Sequence, residues 1–140
     1  MARLTIRVDL AGRHAIGPGK IKLLELIAQS GSISAAGRAM NMSYRRAWML
    51  IDSLNRSFRS AVVETQLGGT RGGGAALSAL GRNVIARYRA IERAATKASA
   101  RELAALDAAG ASRKAPGGRG RTPTAASRRR SALMPHRSRG

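Results

Sequence analysis

The chain has 140 residues, 44% of them hydrophobic and only 3% aromatic, which suffices for one domain with an aliphatic core. Twenty-six Lys and Arg against seven Asp and Glu give a net charge of +19, a field that draws polyanions. Cysteine is absent, which excludes a disulfide framework and thiolate-held zinc, and two histidines with seven scattered acidic residues suggest no catalytic or metal cluster.

The N-terminal stretch MARLTIRVDLAGRH has no continuous apolar core of the signal-peptide kind, and no stretch approaches the ~20 apolar residues of a membrane span. The expectation is a soluble, cytoplasmic protein with no membrane partner.

In chain order, Leu4, Ile6, Val8 and Leu10 alternate with Thr5, Arg7 and Asp9, the pattern of a half-buried strand. AGRHAIGPGK then breaks regular structure with Gly12, Gly17, Pro18 and Gly19. His14 stands alone there and reads as a solvated loop residue, since no second metal ligand is near it. A helix is predicted from Lys20 to Ser30, with Ile21, Leu24, Ile27 and Ala28 at helical spacing and Gly31 placed to end it.

Gly31 to Phe58 reads as two helices joined by a tight turn, a helix-turn-helix. Ser34 precedes a short helical run from Ala35 to Met40, whose small residues Ala35, Ala36 and Gly37 allow close approach of another helix. Asn41 suits the left-handed turn, and Ser43 is placed to cap a longer helix from Tyr44 to about Phe58.

Steps of about 100° per residue from Ile51 place Ala47, Trp48, Leu54, Asn55 and Phe58 on the buried side. Arg45, Arg46, Met49, Asp52, Ser53 and Arg56 fall on the other side. A helix that enters the major groove uses its N-terminal residues on base edges, and arginine to guanine is the commonest specific contact. The same arginines also fit a plain solvated face, and the overall charge favours DNA.

AVVETQ at 61–66 and AAL at 75–77 read as paired strands, joined by the glycine-rich LGGTRGGG with Thr70 and Arg71 at its tip. That tip lacks the Lys-Ser or Lys-Thr ending of a nucleotide-binding loop, so it reads as a wing that touches DNA. From Ser78 a long helix is predicted, with Leu77, Gly81, Val84, Tyr88, Ile91, Ala95 and Ala98 spaced as a seam. Part of that seam serves the domain itself; Val84, Tyr88, Ile91 and Ala95 are the candidate dimerisation residues. Leu80 and Ile85 lie off it and can serve the core.

Residues 99–140 hold ten Lys and Arg against two acidic residues, and residues 1–98 hold sixteen against five. ARELAALDAAG can prolong the helix, whereas the remainder, rich in Gly, Pro, Ser and Arg, reads as a disordered phosphate-binding tail. Its GGRGRTP is close to an AT-hook, except that Thr122 stands where that motif has proline.

The order of strand, helix, helix-turn-helix, glycine-rich hairpin and long helix describes a winged helix-turn-helix, mainly α with a small β-sheet. Over roughly residues 3–98 the sequence also resembles the DNA-binding domain of the ModE family of molybdate-responsive transcription regulators, through SISAAG, MSYRRAW and GGTRGGGAALSALG. A more distant similarity runs to LysR-type domains. The resemblance implies a transcription regulator that binds duplex DNA through Ser43, Tyr44, Arg45, Arg46, Thr70 and Arg71.

The full candidate DNA-binding set is Ser34, Ser43, Tyr44, Arg45, Arg46, Met49, Ser53, Arg56, Thr70 and Arg71. Where the family has molybdate-binding domains, this chain has a basic tail. The expectation is therefore a homodimer with no cofactor in this chain, molybdate entering only by the resemblance and then through a separate effector-binding protein. The rival reading is an architectural, nonspecific nucleic-acid binder dominated by the tail.

Overall fold

The computed structural model describes residues 1–66 and 74–110. Within them the protein is mainly α-helical with two small antiparallel sheets, the architecture of a winged helix. Residues Arg3–Arg101 form one compact unit.

Strand β1 (Val8–Asp9) pairs antiparallel with β2 (Ala15–Ile16), Val8 opposite Ile16 and Asp9 opposite Ala15. The first ten residues alternate between half-buried and exposed as predicted, but only two of them pair in a sheet. AGRHAIGPGK holds more structure than expected: a 3-10 turn at Ala11–Arg13 reverses the chain and delivers β2. The segment before β1 is fixed from elsewhere, because the buried Tyr88 hydroxyl donates a 2.6 Å hydrogen bond to the Ile6 carbonyl.

Helix α1 (Pro18–Ser30) begins two residues earlier than expected, with Pro18 in its first turn, where the missing N–H is no loss. It buries Ile21, Leu23, Leu24 and Ile27, whereas Ala28 is exposed. Gly31 ends it with φ 71, its N–H bonded to the Ile27 carbonyl. Helix α2 (Ile33–Ala39) is capped by Ser32, whose hydroxyl accepts from Ala35 N–H at 3.0 Å; Ser34, expected before the helix, lies inside its first turn.

Asn41 adopts φ 58 in the turn, and Ser43 caps helix α3 (Tyr44–Ser57) by accepting from Arg46 N–H at 3.0 Å. The two helices pack closely enough that a Cβ on Gly37 would stand 3.1 Å from that of Ala47. Strand β3 (Val63–Gln66) pairs antiparallel with β4 (Gly74–Leu77), Val63 opposite Leu77 and Gln66 opposite Gly74. The expected wing tip, with Thr70 and Arg71, and the tail from residue 111 lie outside the described residues.

Helix α4 (Ala79–Ala98) is capped by Ser78, and α5 (Ala100–Ala109) follows. The core gathers Ile21, Leu23, Leu24 and Ile27 with Ile33, Ile51, Leu54, Val62, Val84 and Tyr88. Each such aliphatic side chain contributes about 1.5–3 kcal/mol by leaving water.

Two expectations about faces are corrected here. Val84 and Tyr88, taken as dimerisation residues, are buried within the domain, Tyr88 only 1% exposed, because α4 packs on α1 at that point. Trp48, expected in the core, is 37% exposed.

Candidate nucleic-acid interface

A helix can present its first turn to a ligand only if its buried side is held firmly. Ala47, Ile51 and Leu54 anchor α3 in the core. Asn55 adds a polar clamp: its Oδ1 accepts from the N–H groups of Val62 at 2.8 Å and Val63 at 3.1 Å, and its Nδ2 donates to the Val63 carbonyl at 3.2 Å. The strand β3 is thereby pinned to α3, and Ala75 N–H donates at 3.0 Å to the Gly31 carbonyl, which fixes β4 to the corner between α1 and α2.

The opposite face of α3 opens to solvent. Arg45 and Arg46 are exposed, as are Tyr44 at 59% and Met49 at 60%. With Ser43 as cap, the N–H groups of Tyr44 and Arg45 have no partner within the helix, and the positive end of the helix dipole adds to the arginines. The candidate residues at this end are therefore brought together on one turn.

Farther along the helix the candidates are less free. Arg56 forms an ion pair with Asp52 one turn back, which offsets its charge. Ser53 is half-buried; its hydroxyl accepts from Lys20 Nζ at 3.4 Å and its carbonyl from the Ser57 hydroxyl at 2.7 Å. Ser34 accepts from Arg38 Nη1 at 3.1 Å and borders a cleft of about 330 Å³ between α3 and the base of the β3–β4 hairpin.

Sequence reasoning missed two residues of this region. Asn55 was placed on the buried side without a role, although a polar side chain there must find partners. The helical wheel places Trp48 on the buried side, but it stands in that cleft edge-to-face with Tyr44, ring centroids 6.3 Å apart and planes at 78°. The available signal was their i, i+4 spacing, which stacks side chains on one helix face.

On α4, Arg89 grips Glu25 of α1 through both carboxylate oxygens, Nε to Oε2 at 3.0 Å and Nη2 to Oε1 at 2.7 Å, and also reaches Glu92 at 2.7 Å. The hydrogen bonds from Arg89 hold the Glu25 carboxyl below its ordinary range, and the same pairing raises the Arg89 guanidinium. Burial raises the Tyr88 phenol. None of these groups lies on the α3 face. Among the described residues no cluster of His, Asp and Glu could hold a metal ion, and no helix is long and apolar enough to cross a membrane.

No family model matches the chain. Among curated proteins it is 40% identical to the molybdenum-pterin-binding protein MopA of Rhodobacter capsulatus, over 93 residues that make 66% of this chain and 35% of that protein. It is 37% identical over 92 residues to the molybdenum transport protein ModE of Azotobacter vinelandii, 66% of this chain and 33% of that one. With the DNA-binding transcriptional dual regulator ModE of Escherichia coli K12 it shares 36% over 87 residues, 62% of this chain and 33% of that one.

Over about 60% of its length the chain is similar to proteins named ModE or MopA, at 33–40% identity. It spans about a third of the length of these curated relatives. The names they carry are those of transcription regulators and molybdenum-related proteins. In this chain the arginine-bearing turn of α3 is set on a winged-helix frame.

Proposed function

We propose that this chain binds duplex DNA sequence-specifically and regulates transcription, acting by equilibrium binding and performing no chemistry. The observation that carries the reading is the first turns of α3, where Arg45, Arg46, Tyr44 and Met49 stand exposed on a helix anchored from behind. Arg45 and Arg46 read base edges, and Met49 lies against an apolar edge such as a thymine methyl. Ser43 and Tyr44 fix the helix on phosphates, and Thr70 with Arg71 anchor the wing. As a binder of chromosomal DNA it acts in the cytoplasm.

It acts as a homodimer through the outer face of α4, where Ile91 is 44% exposed beside Arg87, Ala90 and Ala94. Regulation is linked to molybdenum, a reading that the names of similar proteins support. Any effector acts through a separate effector-binding protein. Selecting bound fragments from genomic DNA and competing them against bulk duplex tests the reading: a specific regulator favours its site by about 10³ or more.

The net charge of +19 favours one rival, an architectural binder that grips any duplex through its basic tail. Equal affinity for selected and random fragments would establish that rival.

A further inference from the structure

We propose that the cleft between α3 and the base of the β3–β4 hairpin seats a single sugar–phosphate strand of DNA, with Trp48 and Tyr44 as its apolar wall. The proposal rests on the DNA-binding reading and adds a second kind of contact to it, one that holds the duplex without reading its sequence.

The chain has four aromatic residues, one Trp, two Tyr and one Phe, and two of them stand here in solvent rather than in the core. Leaving large rings exposed forgoes burial energy, so exposure at one site calls for an occupant. Tyr44 and Trp48 brace each other edge-to-face, which presents a stiff surface and reduces the entropy lost when something packs on it. Across the cleft of about 330 Å³ stand Thr65, Gln66 and Gly74 of the hairpin base, with Ser34 at its rim.

Topology selects the occupant. If α3 lies in the major groove and the hairpin reaches the neighbouring minor groove, the ridge between those grooves must pass between them. That ridge is one sugar–phosphate strand, and the cleft lies in its path. The chemistry of the walls matches: deoxyribose carbons face aromatic rings, while the hydroxyls of Ser34, Tyr44 and Thr65 and the amide of Gln66 can donate to phosphate oxygens. Arg45 and Arg46, on the same turn as Tyr44, supply the attracting charge.

Trp48 is the only tryptophan of the chain, so its fluorescence reports on this cleft alone. The full chain is titrated with a selected duplex and with a random one, binding being followed by anisotropy of labelled DNA and Trp48 accessibility by acrylamide quenching. Quenching should drop on binding both duplexes. Trp48→Ala should weaken both by a similar factor, about tenfold, and Trp48→Phe should restore most of the loss.

DNA that binds while Trp48 stays equally quenchable would overturn the seat and leave the DNA-binding reading intact. So would a Trp48→Ala loss confined to the selected duplex, which would make Trp48 a base reader. Protection that grows with protein concentration in the absence of DNA would assign the cleft to a second copy instead. Failure of any duplex to bind would overturn the functional reading, and the seat with it.

Discussion

A Cβ placed on Gly81 would stand 2.3 Å from the carbonyl oxygen of Val62. That carbonyl already accepts the Ser78 N–H at 3.0 Å, and the Ser78 hydroxyl donates to Ala61 at 2.7 Å, so the start of α4 is seated directly on the strand entry. Neither backbone can retreat without breaking these bonds. Gly81→Ala should therefore destabilise the domain by about 2 kcal/mol or more, although alanine is the better helix former. Thermal unfolding measures it; a melting temperature equal to or above that of the parent would refute the close approach.

The Arg89–Glu25 pair makes stability depend on pH in a defined direction. Glu25 has its folded-state carboxyl held below the ordinary value of 4.5 by the Arg89 hydrogen bonds. A carboxyl depressed in the folded state binds fewer protons there than in the unfolded chain, so its contribution is present above that ordinary value and fades as pH falls through the lowered one. Glu25→Gln should cost about 1–2 kcal/mol at neutral pH, where a charge-assisted bidentate contact is lost from partly buried surroundings. Parent and variant should converge in denaturant midpoint as pH falls through the lowered value. A constant gap down to acid pH would show that the pair acts through packing alone.

The framework was legible because it rests on local rules that single residues announce. Gly31, Asn41, Ser43 and Ser78 each end or cap an element where the sequence placed them. Ser32 and Ser34 both suit a cap, and only the hydrogen bond to Ala35 N–H distinguishes them. Burial on α3 was legible for Ala47, Ile51 and Leu54, but Trp48 lies at the edge of that arc, where the position of the hairpin decides, and a helical wheel contains no hairpin. The seam on α4 failed at Val84 and Tyr88 for a similar reason: a four-three repeat marks an apolar stripe without saying whether α1 or a second chain covers it. Strand β2 escaped notice because two paired residues are too few to carry a period of two. The candidate site was therefore readable as a set of side chains on one turn, and unreadable as a cleft.

If Arg45 and Arg46 read bases, removing either should cost about 1–3 kcal/mol at a selected site and much less on random duplex. Both side chains are exposed, so Arg45→Ala and Arg46→Ala should leave the melting temperature nearly unchanged. Electrophoretic mobility shifts on the two kinds of duplex measure the difference. Equal losses on both would reassign the arginines to phosphates. Arg56→Ala should matter less than either, because Asp52 already offsets its charge.

Ile91 tests the proposed dimer. It lies on the exposed side of α4 beside Arg87, Ala90 and Ala94, so Ile91→Glu should leave the monomer folded, with a stability change within about 0.5 kcal/mol. At a dimer contact the same change buries a charge against an apolar partner. Light scattering should find the parent dimeric at micromolar concentration and the variant monomeric, with unchanged circular dichroism. A monomeric parent would end the idea, and with it the expectation of two half-sites about 34 Å apart.

The last prediction separates the charge of the domain from that of the tail. Residues 111–140 carry nine Lys and Arg and no acidic residue, while α3 places Arg45 and Arg46 on a folded surface. Each phosphate neutralised releases condensed counterions, so the logarithm of affinity falls with the logarithm of salt with a slope of about −0.9 per contact. Deleting 111–140 should flatten that slope for selected and random duplexes alike. The ratio between the two affinities should survive, because base contacts on α3 set it and phosphate contacts cancel from it. A specificity ratio that collapses together with the slope would favour the architectural reading, and an unchanged slope would show that the tail stays off the DNA. Only loss of slope with the ratio intact fits a specific reader that carries a nonspecific anchor.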